Sequence, residues 1–104
     1  MKKGYVYIIS NKHRTVYYTG VTNDLERRMF EHKSGKGSIF TKRYNITDLL
    51  YFEEIYGFQN AIDREKQLKK WKRDWKDKII KEDNPNKIDL AEDWFSVEEK
   101  KGFV

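Results

Sequence analysis

Two short runs dense in tyrosine and β-branched residues lie close together near the start of the chain. They are Gly4-Tyr5-Val6-Tyr7-Ile8-Ile9-Ser10 and Thr15-Val16-Tyr17-Tyr18-Thr19-Gly20. Only the polar turn Asn11-Lys12-His13-Arg14 separates them. Runs of this composition read as strands, and so short a connection pairs them as an antiparallel hairpin over 4–10 and 15–20. The hairpin then dictates where its aromatic groups point. Side chains alternate along a strand, so Tyr5 and Tyr7 share one face. Tyr17 and Tyr18 point to opposite faces, and only one of them can meet Tyr7.

Gly20 ends the second strand. Asn23 starts a helix, with Glu26 three residues later, close to a capping box. Leu25, Met29 and Phe30 form its apolar side. Arg28 and His32 are four apart and lie on one side, and Arg27 is turned to solvent. The helix stops at Ser34-Gly35-Lys36-Gly37-Ser38, which lacks the spacing of a phosphate loop and reads as a flexible connection. Ile46 to Ile55 holds Leu49-Leu50-Tyr51-Phe52 and forms a third strand. The longest helical pattern runs from Asn60 to about Lys81. Ala61, Leu68, Trp75 and Ile79 recur at helical spacing, with Ile62 and Trp71 beside them. Tryptophans at this spacing belong to a core rather than to a base-stacking surface. Asn84-Pro85-Asn86 ends that helix. Asp89 to Glu99 forms a last short helix, and Gly102-Phe103-Val104 a frayed tail.

These elements specify an α+β fold: a small three-stranded antiparallel sheet flanked by helices. At 104 residues, the chain reads as a single domain, 1–104, with 86–104 as a helical tail. Three Trp, seven Tyr and six Phe supply a core even though 38% of residues are charged. The formal charge of +5 favours a polyanionic partner. There is no cysteine, which excludes disulfides and thiolate zinc sites and suits a reducing compartment. No run approaches membrane-spanning length, so no membrane partner and a cytoplasmic setting are expected.

Several residues stand out for chemistry, each with a plainer reading beside it. Tyr7 with Tyr18 is also a cross-strand aromatic pair. Arg28 with His32 is also a basic helix face. Glu65 borders the stripe of Ala61 and Leu68, where a carboxylate is costly unless paired or bound to metal. A salt bridge to Lys69 or Arg28 would serve as well. Lys42, Arg43, Lys69, Lys72, Arg73 and Lys76 form a surface able to follow a phosphate backbone, or an ordinary solvated face.

Taken jointly, Tyr5-Val6-Tyr7, Tyr18-Thr19-Gly20, Arg28, His32 and Glu65 resemble the GIY-YIG nuclease domain. The likeness is to its small single-domain branch, related to the N-terminal module of the excinuclease C subunit, and covers about residues 4–85. Two departures stand in the sequence. Gly4 lies one position early, and Val21 occupies the place of a lysine that follows the second glycine in excinuclease relatives. The resemblance implies a metal-dependent endonuclease that hydrolyses DNA phosphodiester bonds with low sequence specificity, in DNA repair or recombination. Tyr7 would activate the attacking water with help from Tyr18 and His32. Arg28 would hold the scissile phosphate, and Glu65 a divalent metal, Mg2+ or Mn2+. Asn84 matches an asparagine that some members carry near the site. DNA is the implied partner, with RNA or branched DNA as further substrates. One site cuts one strand, so the chain would work as a monomer or a weak homodimer. The competing reading is a nuclease-fold module that binds nucleic acid with little or no hydrolysis.

Overall fold

A computed structural model describes residues 2–104. Strands β1 (Lys3–Ser10) and β2 (Tyr17–Thr22) form the hairpin, followed by helix α1 (Leu25–Lys33). A short helix α2 (Ile39–Arg43) and strand β3 (Asp48–Tyr56) come next. Helices α3 (Phe58–Lys69), α4 (Arg73–Asp83) and α5 (Val97–Lys100) complete the chain. The sheet is antiparallel throughout, in the order β2-β1-β3. Among the described residues, no helix is long and apolar enough to cross a membrane.

β1 is the central strand, and both of its faces are covered. Val6, Ile8 and Ile9 are wholly buried and Tyr7 is 1% exposed. Tyr7 and Ile9 pack with Leu25 and Met29 of α1 and with Ile46, Leu49, Ala91 and Phe95. On the opposite face, Val6 meets Ala61 and Leu68 of α3, and Ile8 meets Leu50, Tyr51 and Ile80. The alternation of β1 side chains therefore assigns α1 to one face and the α3–α4 pair to the other.

The β1–β3 register shifts between Ile8 and Ile9: Ile8 pairs with Tyr51 and Ile9 with Leu49, which leaves Leu50 as the extra residue of a bulge. The bulge puts the consecutive residues Leu50 and Tyr51 in one apolar cluster. The carbonyl of Leu50 receives a hydrogen bond from the buried Asn84 side chain at 3.1 Å. Asn84 also donates to Ile88 O at 2.8 Å and accepts from Ile88 N at 3.1 Å. Its amide is thus fully engaged in fixing the end of α4 to the sheet.

Several expectations change. β2 begins two residues late because the Asn11 side chain accepts hydrogen bonds from Thr15 N and Val16 N and holds them in the loop. Asp24, not Asn23, caps α1 by accepting from Arg27 N, so Glu26 falls one place short of a capping box. The helix expected from Asn60 to Lys81 breaks at Lys70-Trp71-Lys72. Unbroken, it would run about 33 Å, as long as the 34 Å major axis of the molecule. The break turns α4 back over the sheet. It leaves Trp71 half-buried and Trp75 59% exposed, so Trp75 is not core. The last helix is only Val97–Lys100, with turns before it. The tail is not frayed. Phe103 packs edge-on against Phe30 and Phe95, with centroids 5.6 and 5.4 Å apart, and Val104 N donates to Lys33 O.

Candidate active site

The hairpin and α1 bring three polar groups into direct contact. The Tyr7 hydroxyl lies 3.0 Å from His32 Nε2 and 3.4 Å from Arg28 Nε. The arrangement depends on what is missing from the opposite strand. Tyr7 is paired with Gly20, and a Cβ at Gly20 would stand 2.4 Å from the Tyr7 ring carbon and hydroxyl. The closing glycine of β2 is therefore the space in which the phenol sits. Tyr18 lies on the same face, its ring meeting the His32 ring edge-on at 6.1 Å.

His32 is held from behind by α2. Its Nδ1 lies 3.2 Å from Thr41 Oγ1, and Thr41 Oγ1 is 3.1 Å from the carbonyl of Ser38. Gly37 leaves room for this contact, since a Cβ there would fall 2.3 Å from His32 Nδ1. The directions of these bonds can be assigned from the network. Arg28 has only donors, so the Tyr7 oxygen accepts from it and donates to His32 Nε2. The ring proton of His32 is then on Nδ1 and is donated to Thr41, which passes its own to Ser38 O. Thr41 and Gly37 are the site residues that sequence reading missed. The available signal was the Ser38-Ile39-Phe40-Thr41 stretch, which forms a capping box with Thr at the third position in place of Glu or Gln.

Burial pushes the Tyr7 phenol up to about 12, against the downward pull of Arg28. Burial, reinforced by the Arg28 charge, holds His32 down at about 4. Both groups are neutral at pH 7, as the hydrogen-bond pattern requires.

Glu65 approaches from α3, on the other face of the sheet. It makes no hydrogen bond to Tyr7, and its negative charge is the least of the influences on the phenol. Its side chain is 13% exposed and pairs with Lys69 Nζ at 3.2 Å. Among the described residues, no group of three or more His, Cys, Asp or Glu converges as a metal cage.

The six basic residues do not form one uniform surface. Lys42 and Arg43 are exposed on α2. Lys69 is paired with Glu65. Lys72 is exposed at the start of α4, and Lys76 is partly buried, its pKa lowered by burial and by Arg73 and Lys69. Arg73 is committed elsewhere. It donates to Thr15 O at 2.7 Å and to Arg14 O, and stacks over the Tyr17 ring at 3.8 Å. A guanidinium so occupied clamps the hairpin turn and has little left for phosphate. A groove of about 630 Å³ on the Tyr5 side of the sheet includes none of the five site residues, and its carboxylates Asp24, Glu26 and Glu54 would repel phosphate.

The family model for the GIY-YIG catalytic domain matches residues 3–87, a span that holds all five candidate site residues. The chain belongs to the GIY-YIG family. GIY-YIG domains are in general endonuclease domains. Among similar proteins, the UPF0213 protein of Syntrophus aciditrophicus (strain SB) is 38% identical over 89 residues, covering 85% of this chain and 100% of the relative. The UPF0213 protein SH2523 of Staphylococcus haemolyticus is 38% identical over 82 residues, covering 79% and 99%. The solution NMR structure of a UPF0213 protein from Bacillus halodurans superimposes with a TM-score of 0.52 at 28% identity, covering 81% of this chain and 88% of that one. This GIY-YIG chain shares with that structure its α+β architecture around a three-stranded antiparallel sheet.

Proposed function

We propose that this GIY-YIG protein is a cytoplasmic, divalent-metal-dependent endonuclease that hydrolyses DNA phosphodiester bonds with low sequence specificity. The observation that carries the reading is the hydrogen bond from Tyr7 to a neutral His32 beside Arg28. A phenol near 12 is a poor base alone, and so is an imidazole near 4. Joined, they form a path. The attacking water gives its proton to the Tyr7 oxygen as the Tyr7 proton moves to His32 Nε2. The water oxygen bonds to phosphorus, and the opposite phosphorus–oxygen bond breaks with its electron pair on the departing oxygen, which takes a proton from solvent water.

Substrate improves this path. Arg28 depresses His32, and a phosphate paired with Arg28 offsets that charge. His32 then becomes a better proton acceptor when DNA is present. Arg28 also stabilises the charge that builds on the phosphoryl oxygens. Tyr18 supports the His32 ring. Lys42, Arg43, Lys69, Lys72 and Lys76 would follow the backbone.

Glu65 offers a single hard oxygen donor, which suits Mg2+ or Mn2+ because such ions keep several waters and take further oxygens from phosphate. When bound, the ion would supply positive charge to the departing oxygen. Lys69, paired with one oxygen of Glu65, would compete with the ion for the carboxylate. That ion pair is also the observation that favours a second reading, a nuclease-fold module that binds without turnover.

Plasmid nicking with Mg2+, Mn2+ or chelator tests the proposal. Wild type should nick only with metal. Arg28→Ala and Glu65→Ala should lose the activity while remaining folded by circular dichroism. Metal-independent nicking, or variants that nick at the wild-type rate, would remove the assignment.

A further inference from the structure

The short helix α2 carries an aromatic ladder that starts inside the site. Tyr18, in contact with His32, stacks on Phe40 at 6.0 Å with the planes 30° apart. Phe40 lies 4.8 Å from Tyr44, and the Arg43 guanidinium sits 5.6 Å from the centre of the Tyr44 ring. The ladder runs outward from the candidate catalytic groups: Tyr18 packs against the core, and Phe40 and Tyr44 carry it to the surface. Phe40 and Tyr44 are 43% and 41% exposed, and Ile39 beside them is 90% exposed. Lys42 and Arg43 are exposed on the same five-residue helix.

Exposed rings flanked by cations, in register with a phosphate-processing site, match the chemistry of a nucleotide strand. The rings take base faces and the cations take phosphates. A duplex hides its base faces in the stack, so only an unpaired strand can use the rings.

We propose that α2 is a stacking platform for unpaired bases, and that this protein engages single-stranded DNA, or a single-stranded segment, in preference to duplex. The substrate half of this statement rests on the endonuclease reading; the binding half does not. Binding is therefore measured with chelator present, so that no turnover intervenes. A fluorescein-labelled oligonucleotide and its duplex are titrated by anisotropy, and a 2-aminopurine strand reports stacking by quenching.

Wild type should bind the strand more tightly than the duplex and quench 2-aminopurine. Phe40→Ala combined with Tyr44→Ala should lose strand affinity by on the order of 10-fold or more, with duplex affinity changed by less than about 2-fold. Phe40→Trp should keep both affinity and quenching. Both positions are well exposed, and circular dichroism checks that the variants fold. Strand affinity unchanged in the double variant would overturn the platform and assign the patch to a protein partner. Equal losses on strand and duplex would overturn it as well. If wild type binds the strand through the ladder but never nicks DNA with metal, the endonuclease reading falls and the platform stands. If wild type nicks and the double variant binds the strand normally, the platform falls alone.

Discussion

Acidification should destabilise this protein by an amount that can be worked out from one residue. His32 is 2% exposed, and burial together with the Arg28 charge holds it at about 4, against 6.5 for an ordinary imidazole. The unfolded chain takes up a proton at His32 as the pH falls below 6.5, and the folded protein does not until about 4. The unfolded state thus binds more protons across this window, so stability rises with pH through it. The contribution of His32 is fully present above 6.5. It falls by about 1.4 kcal/mol at pH 5.5 and by about 3 kcal/mol at pH 4. Despite its burial, Glu53 is held below the usual carboxylate range by Arg64 and Tyr51, so its loss of stability comes at lower pH. Restricting the comparison to pH 5.5 and above separates the two. The perturbation is His32→Gln, which removes the titration and keeps an amide able to hydrogen-bond. Urea unfolding of both proteins at pH 7.5, 6.5 and 5.5 gives the difference in stability. That difference should shrink by about 1.4 kcal/mol between pH 7.5 and 5.5. A constant difference would mean that His32 protonates freely in the folded protein, and the neutral relay through Tyr7 would be refuted.

Gly20→Ala forces a methyl group against the buried Tyr7 ring, so urea unfolding should show a loss of about 1–3 kcal/mol, and nicking should fall with the displaced hydroxyl. Thr41→Val leaves the His32 Nδ1 proton and Ser38 N without their acceptor, at a cost of about 1–3 kcal/mol; nicking should drop and Thr41→Ser should restore it. Asn84→Ala strips the bulged Leu50 carbonyl of its partner and should destabilise by about 1–3 kcal/mol. The folded fraction should bind DNA as wild type does, because the Asn84 side-chain contacts lie at Leu50 and Ile88.

The convergence of Tyr7, Tyr18, Arg28 and His32 was legible because each lies on an element with strong local periodicity, and a short turn ties those elements together. Strand alternation and the four-residue helical step narrow the partners, and the family resemblance chooses Tyr18 over Tyr17. From the residues alone Glu65 was legible as a carboxylate out of place beside an apolar stripe, its partner Lys69 was one of two offered, and its metal role came from the resemblance. The break before α4 was not legible, because Lys70-Trp71-Lys72 contains neither Gly nor Pro. The helical spacing of apolar residues continues through the break to Trp75 and Ile79, so sequence periodicity carries no record of it. The same break moved Trp75 into solvent. α2 escaped because five residues after a glycine-rich stretch make too short a pattern, and with it went Thr41, the support of His32. The tail looked frayed because its partners, Phe30 and Lys33, lie far back in the chain.

The contact between Gly4 and α3 has a consequence for how such chains can vary. A Cβ at position 4 would fall 2.5 Å from the Cβ of Ala61, so the gap between β1 and α3 holds one methyl group and no more. That methyl belongs to Ala61, and because α3 also carries Glu65, the gap sets how deeply the carboxylate is seated. Positions 4 and 61 therefore act as one coupled spacer. Glycine opposite alanine is admissible, whereas a side chain at position 4 would meet both Ala61 and the Phe58 ring and push the helix outward. A designer could move the acid of this site away from its phenol by such a wedge, leaving every polar group in place.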